Sequence, residues 1–242
     1  ESIIGALKII AAKLIGKTTV DFEELLLTIQ NSVVNNPSAK AALDIALHDL
    51  VAKSMHQPLY KFLGGGKPEL KILTTVSVKA VTEMVEDAQL FVAQGFETLK
   101  IKVGLNPAED IQRLKAIREA VGDSISILSD ANQGWDAKSA LQIIDSLAAQ
   151  NLGIAMVEQP VKAWDYANLK YVRDNSRIPI YADESAFNLR DVSKIIQAQM
   201  ADGINIKLMK SGGLYAARPI YDLATSHNLP CMAGCMLESP IG

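Results

Sequence analysis

From about residue 71 onward, short apolar, β-branched runs alternate with amphipathic segments of ten to sixteen residues, the pattern of βα units around a parallel sheet. The runs predict strands near 72–78, 97–103, 125–130, 154–158, 179–183, 203–207 and 229–234, and the segments between them predict helices at roughly 80–94, 107–121, 137–150, 166–174, 189–199 and 213–226. Residues 1 to about 63 read as helices instead. Ile3, Leu7, Ile10 and Leu14 mark a first, Phe22 to Asn31 a second, and Ser38 to about Met55 a third. Pro37 or Ser38 starts the third, and Ala41, Ala42, Ile45, Ala46 and Ala52 give it a small-residue face suited to close packing. Gly64, Gly65 and Gly66 then break the chain. No strand precedes them and no Lys-Ser or Lys-Thr follows, so they read as a linker and not a phosphate loop. A doubly wound open sheet competes with a barrel, but its Gly-x-Gly-x-x-Gly turn is missing after the first strand. The expected fold is α/β: a (β/α) barrel of the TIM type over 67–242, preceded by helices over 1–66.

Composition narrows the partners. With 24 basic and 27 acidic residues, a net charge of −3 and no long run of either sign, nothing marks a nucleic-acid or anionic-membrane surface. No apolar stretch reaches the roughly 20 residues that span a bilayer, and Lys8 and Lys13 interrupt the apolar opening segment. A small-molecule substrate and a cytoplasmic location are expected. Cys231 and Cys235 cannot build a disulfide framework and read as small residues buried in an apolar stretch.

The chemistry stands at the strand ends. The runs LKIK, ILSDAN, MVEQP, YADES and NIKLMK each stop at a charge, and Lys102, Asp130, Glu158, Asp183 and Lys207 are separated by 28, 28, 25 and 24 residues, each about one βα unit. In a barrel the carboxyl ends of all strands share one mouth, so these five residues converge. Three carboxylates buried together repel unless a cation neutralises them. Asp130, Glu158 and Asp183, all oxygen donors, favour a hard ion such as Mg²⁺. Residues i and i+2 of a strand share a face, so Lys100 and Lys102 both point into the mouth, where stacked ammonium groups and a nearby cation would depress each other's pKa towards that of a usable base. Lys207 faces them from the sixth strand. Lys210 is expected to sit in a loop beyond that strand.

The motifs TLKIKVG, SDANQGW, VEQP, ADES, INIKLMKSGG and CMLES, in this order and spacing, resemble the enolase superfamily, its muconate-lactonising-enzyme subgroup, and within it the dipeptide epimerases of the L-Ala-D/L-Glu type. The resemblance covers nearly the whole chain and implies a modified (β/α)7β barrel beside an α+β capping domain. By position it makes Asp130, Glu158 and Asp183 the ligands of one Mg²⁺ per subunit, with Mn²⁺ as a substitute. Lys102 and Lys207 become the bases on the two substrate faces, Lys100 a holder of the substrate carboxylate, and Thr75 and Cys235 pocket residues. The implied reaction is a 1,1-proton transfer at the carbon α to a carboxylate, through an enediolate, in a homo-oligomer. His48, His56 and His227 occupy no strand end, against the lysine–histidine pair of the mandelate-racemase subgroup. An o-succinylbenzoate synthase or muconate cycloisomerase would use much the same barrel residues, and a non-catalytic metal-binding barrel is a more remote alternative. Against the family pattern, the front strands and loop of the capping domain are missing ahead of Glu1, and the chain stops at Gly242 before an eighth strand, so residues 1–66 read as the capping domain's helices and the last barrel strand as absent. Two unpaired sheet edges and a fragmentary chain are therefore expected.

Overall fold

The computed structural model describes residues 1–66, 69–236 and 238. Helices come first: α1 (Ser2–Leu14), α2 (Phe22–Asn31) behind a 3-10 turn at Thr19–Asp21, α3 (Pro37–Ser54) and the single turn α4 (Leu59–Phe62). Pro37 occupies the first turn of α3, where a missing N–H costs nothing. The buried face of α3 is not the expected alanine row, because Ala42 and Ala46 are exposed. It runs instead through Ala41, Asp44, His48, Val51 and Ala52, a helical period that includes two polar residues. Those polar groups find partners, as shown below, which is why an apolar pattern could not reveal them.

The strands are β1 (Thr74–Val76), β2 (Thr98–Lys102), β3 (Ser126–Asp130), β4 (Ile154–Glu158), β5 (Ile180–Ala182), β6 (Gly203–Ile206) and β7 (Cys231–Ala233). They form one sheet in sequence order, every neighbouring pair parallel. Between them lie α5 (Val81–Ala93), α6 (Pro107–Val121), α7 (Ala137–Ala149), α8 (Tyr166–Asn175), α9 (Leu189–Ala198) and α11 (Leu214–Ser226), with a further turn, α10 (Leu208–Ser211), directly after β6. The strand-helix alternation read from the sequence is thus the observed one, a partial (β/α) barrel. Asn106, Asp136, Asp165 and Asn188 cap α6, α7, α8 and α9 by accepting backbone N–H groups, which fixes where each helix leaves its loop.

The core fills the space between sheet and helices. Leu99, Ile101, Ile127, Val157, Ile180 and Ile204 of the strands are fully buried with Leu114, Ile117, Ile143, Ile144, Leu169 and Ile195 of the helices. Because strand side chains alternate, apolar packing on this side sends Lys100 and Lys102 to the other, the inner side of the sheet.

Two expectations need correcting. Lys210 belongs to α10, not a loop, and is buried. Cys235 is exposed, and Cys231 is only half-buried, packed against the edge of the core. The CMLES motif continues past Met236 through Leu237 and Ser239, which lie outside the described residues, as do Lys67, at the expected domain boundary, and Gly242. Among the described residues no helix is long and apolar enough to cross a membrane.

Candidate active site

The parallel register sets Lys102 beside Asp130, and Asp130 beside Glu158, at one level of the sheet. Lys100 Nζ lies 2.8 Å from both Asp130 Oδ2 and Glu158 Oε1, and Lys102 Nζ lies 2.7 Å from the same Asp130 oxygen. Asp183 and Lys207 stand one residue beyond β5 and β6 and form an ion pair with each other. At these carboxyl ends opens a cavity of about 630 Å³ whose lining includes Thr75, Lys100, Lys102, Asp183, Lys207 and Cys235. Asp130 and Glu158 are fully buried behind it. All eight residues singled out in the sequence therefore gather at one site, Thr75 and Cys235 at its exposed rim. A second cavity, of about 500 Å³, lies among Phe22, Leu26, His48, Leu214 and Tyr215 and holds no comparable convergence of charge.

The charges divide unevenly. Burial raises the Glu158 carboxyl, Asp130 raises it further, and Lys100 only partly opposes them, so it reaches about 7 against an ordinary 4.5. Asp130 is destabilised by burial but held below its ordinary range by Lys100 and Lys102, and Asp183 likewise by Lys210 and Lys207. The expected depression of the paired lysines is not found at Lys100. Burial lowers its pKa, but the carboxylates of Glu158 and Asp130 outweigh burial and raise it.

Among the described residues, no three His, Cys, Asp or Glu side chains are gathered into a ready-made metal cluster. Each of the three carboxylates is turned onto a lysine. The donor set nevertheless fits a hard divalent ion, because it is all oxygen and Glu158 Oε2 is buried with no hydrogen-bond partner. A buried carboxylate oxygen left bare beside two other acids is the arrangement that a cation would relieve.

Several residues at the site were not foreseen. Asn205 Nδ2 donates to Glu158 Oε1 at 2.9 Å, and Asn205 stands two residues before Lys207, so the period-two argument applied to Lys100 and Lys102 could have found it. Asn132, from the SDAN run, accepts from Lys102 Nζ at 2.6 Å and donates to Glu184 at 3.2 Å. Gln159, from VEQP, accepts the N–H groups of Asp183 and Ser185 through Oε1 at 2.9 and 3.0 Å and so fixes the β5 loop. Both Asn132 (φ +41°) and Gln159 (φ +37°) hold a left-handed backbone just past a site carboxylate, a local strain that orients those loops. Lys210 reaches Asp183 from α10, and burial pushes its pKa down.

A family model described as "Enolase C-terminal domain-like" matches residues 83–242, and one described as "Mandelate racemase / muconate lactonizing enzyme, N-terminal domain" matches residues 2–64. The chain is 45% identical to the L-Ala-D/L-Glu epimerase of Clostridium acetobutylicum over 100% of its own length and 68% of that protein's. Among solved structures it is similar to a substrate-liganded complex of the L-Ala-D/L-Glu epimerase from Bacillus subtilis, with TM-score 0.97, 43% identity, and coverage of 100% of this chain and 68% of that one. It is also similar to the dipeptide epimerase from Enterococcus faecalis V583 complexed with Mg and the dipeptide L-Leu-L-Tyr, with TM-score 0.95, 38% identity, and coverage of 99% and 68%. The chain spans between 63% and 68% of the length of the first three curated relatives it matches.

Proposed function

The chain belongs to the mandelate racemase / muconate lactonizing enzyme family of the enolase superfamily, and on that premise we propose that it is a dipeptide epimerase of the L-Ala-D/L-Glu type, inverting the carbon α to the substrate carboxylate. The observation that carries the proposal is the presence of Lys102 and Lys207, from strands four positions apart in the sheet, on the wall of one cavity that Asp183 also lines, with Asp130 and Glu158 buried behind it. A binding site has no need of a base on each side of its ligand. A 1,1-proton transfer does.

In this reading one of the two lysines, in its neutral form, removes the α-proton, and the other, as an ammonium, returns a proton to the opposite face. The two exchange roles in the reverse direction, as an epimerase requires. Lys102 is fixed for this by Asp130 and Asn132, and Lys207 by Asp183. Lys100, between Asp130 and Glu158, presents its positive charge from the cavity floor to the substrate carboxylate. Thr75 and Cys235 bound the substrate at the rim. Asp130, Glu158 and Asp183 would hold one Mg²⁺ per subunit, or Mn²⁺ in its place, which when bound supplies positive charge beside the substrate carboxylate and so favours loss of the α-proton. The relatives solved with Mg and a dipeptide support that assignment by analogy. A cytoplasmic homo-oligomer completes the proposal, the two free thiols suiting a reducing compartment.

The test is proton NMR of L-Ala-L-Glu in D₂O with the full-length protein and Mg²⁺. Loss of the glutamate α-proton signal together with appearance of the L-Ala-D-Glu diastereomer is the expected result, and both should cease in EDTA. Exchange that persists in fully metal-free protein would refute the mechanism. A protein that binds Mg²⁺ but exchanges no α-proton in this or other dipeptides would refute the activity.

A further inference from the structure

Lys210 lines the same cavity and, in the reading above, has no role in the proton transfer. It is 6% exposed, and an ammonium has three N–H donors and no acceptor. All three have partners: the Asp183 carbonyl at 2.6 Å, Asp183 Oδ1 at 2.7 Å and the Asn205 carbonyl at 2.6 Å. A head group so fully engaged is not placed to carry protons to and from a substrate. It is placed to hold one carboxylate still.

The geometry assigns Lys210 as the positioning residue of Asp183 and, through Asp183, of Lys207, an inference that rests on the epimerase reading. Lys210 grips both the main chain and the side chain of Asp183 and ties them to β6 through the Asn205 carbonyl. With Oδ1 taken by Lys210, the other oxygen of Asp183 is the one to which Lys207 donates. One carboxylate thus fixes the direction of Lys207. The single turn α10 is what makes this reach available, since the N–H groups of Lys210 and Ser211 both donate to the Lys207 carbonyl, at 3.0 and 2.9 Å, and bring position 210 back over the site. The far end of that turn is anchored from the helical region, by Gln30 Nε2 to the Gly212 carbonyl at 2.8 Å and by Asp44 Oδ1 accepting the Leu214 N–H at 2.6 Å. Lys102, by contrast, is held by Asp130 and Asn132. The consequence is one-sided: loss of Lys210 impairs the face served by Lys207 more than the face served by Lys102.

The experiment compares the full-length protein with its Lys210→Met variant by two measurements. The first is Mn²⁺ affinity by EPR titration. The second is α-proton exchange into D₂O, measured separately for L-Ala-L-Glu and L-Ala-D-Glu, with the Lys207 face identified as the diastereomer whose exchange Lys207→Ala abolishes. Residues that orient metal ligands typically change affinity by about 10- to 100-fold when removed. The expected result is Mn²⁺ binding weakened by that factor, and exchange at the Lys207 face slowed roughly tenfold more than at the Lys102 face. Lys210→Arg, which keeps the charge, should recover part of both. Parental Mn²⁺ affinity in the Met variant, or equal slowing of the two faces, overturns the assignment. If Lys210→Met does not fold, Lys210→Gln keeps part of the donor set, and parental values in it overturn the assignment equally. If the parent protein exchanges no α-proton, the epimerase reading falls by itself, and the Mn²⁺ titration still decides whether Lys210 orients Asp183.

Discussion

Replacing Glu158 by Gln should make the metal-free protein more stable while destroying its capacity to bind Mg²⁺. Burial and the neighbouring Asp130 raise the Glu158 carboxyl from 4.5 to about 7, a rise of about 2.5 pH units. At about 1.4 kcal/mol per pH unit, ionising this group in the fold costs roughly 3.5 kcal/mol more than ionising it in the unfolded chain. Below pH 4.5 the carboxyl is protonated in both states and the substitution gains nothing from this source. Between 4.5 and 7 the unfolded chain releases its proton while the fold retains it, so the parent loses stability as pH rises. Above 7 the loss is complete. Glutamine stays neutral throughout and can still accept from Lys100 and Asn205, so the stability difference in favour of Glu158→Gln should open across pH 4.5 to 7 and level off at about 3.5 kcal/mol. Urea unfolding followed by circular dichroism, in EDTA at pH 4, 6 and 8, measures it. Mg²⁺ at about 1,000 times its Kd should reverse the order at pH 8, because at that excess it stabilises the parent by about 4.1 kcal/mol and the variant not at all. A variant less stable than the parent in EDTA at pH 8 would refute the reasoning.

Other outcomes follow from the same geometry. Lys102→Ala and Lys207→Ala should each reduce epimerisation by about 10²- to 10⁴-fold while leaving Mg²⁺ binding measurable by isothermal titration, and each should abolish exchange from a different diastereomer. Asp44→Ala should destabilise the protein by roughly 2–3 kcal/mol in urea, since Asp44 is buried, accepts the first N–H groups of α11 from Leu214 and Tyr215, and pairs with His48 at 3.2 Å. Burial lowers the His48 pKa, but hydrogen bonding and charge from Asp44 outweigh it and leave it raised. Its stabilising contribution should therefore be full below pH 6.5 and disappear as pH rises through the higher folded value, a slope that NMR titration of His48 locates and that His48→Gln should erase.

The sequence revealed what repeats and missed what is shared between elements. Strands with one face in the core announce themselves by β-branched runs, and a charge closing five such runs at intervals of one βα unit leaves little freedom about where those charges meet. The register of Lys102, Asp130 and Glu158 follows from that interval, because parallel strands of similar length end at one level. Thr75 and Cys235 came from resemblance alone, having no periodic signal of their own.

Lys210 shows why the remainder was hidden. Its role depends on a four-residue turn after β6, too short for any hydrophobic period to mark, and on acceptors that include two backbone carbonyls, which have no letter in the sequence. Asp44 and His48 are hidden for the complementary reason. A buried polar pair looks like an exposed one until the partner across the fold is known, and here the partners are the Leu214 and Tyr215 N–H groups some 170 positions away. Those contacts, with that of Gln30 to the Gly212 carbonyl, join the helical region to the start of α11 and the end of the turn that carries Lys210, and Lys210 in its turn holds Asp183. The charges at the strand ends can thus be read strand by strand, whereas the groups that hold them become visible only when distant segments are brought together.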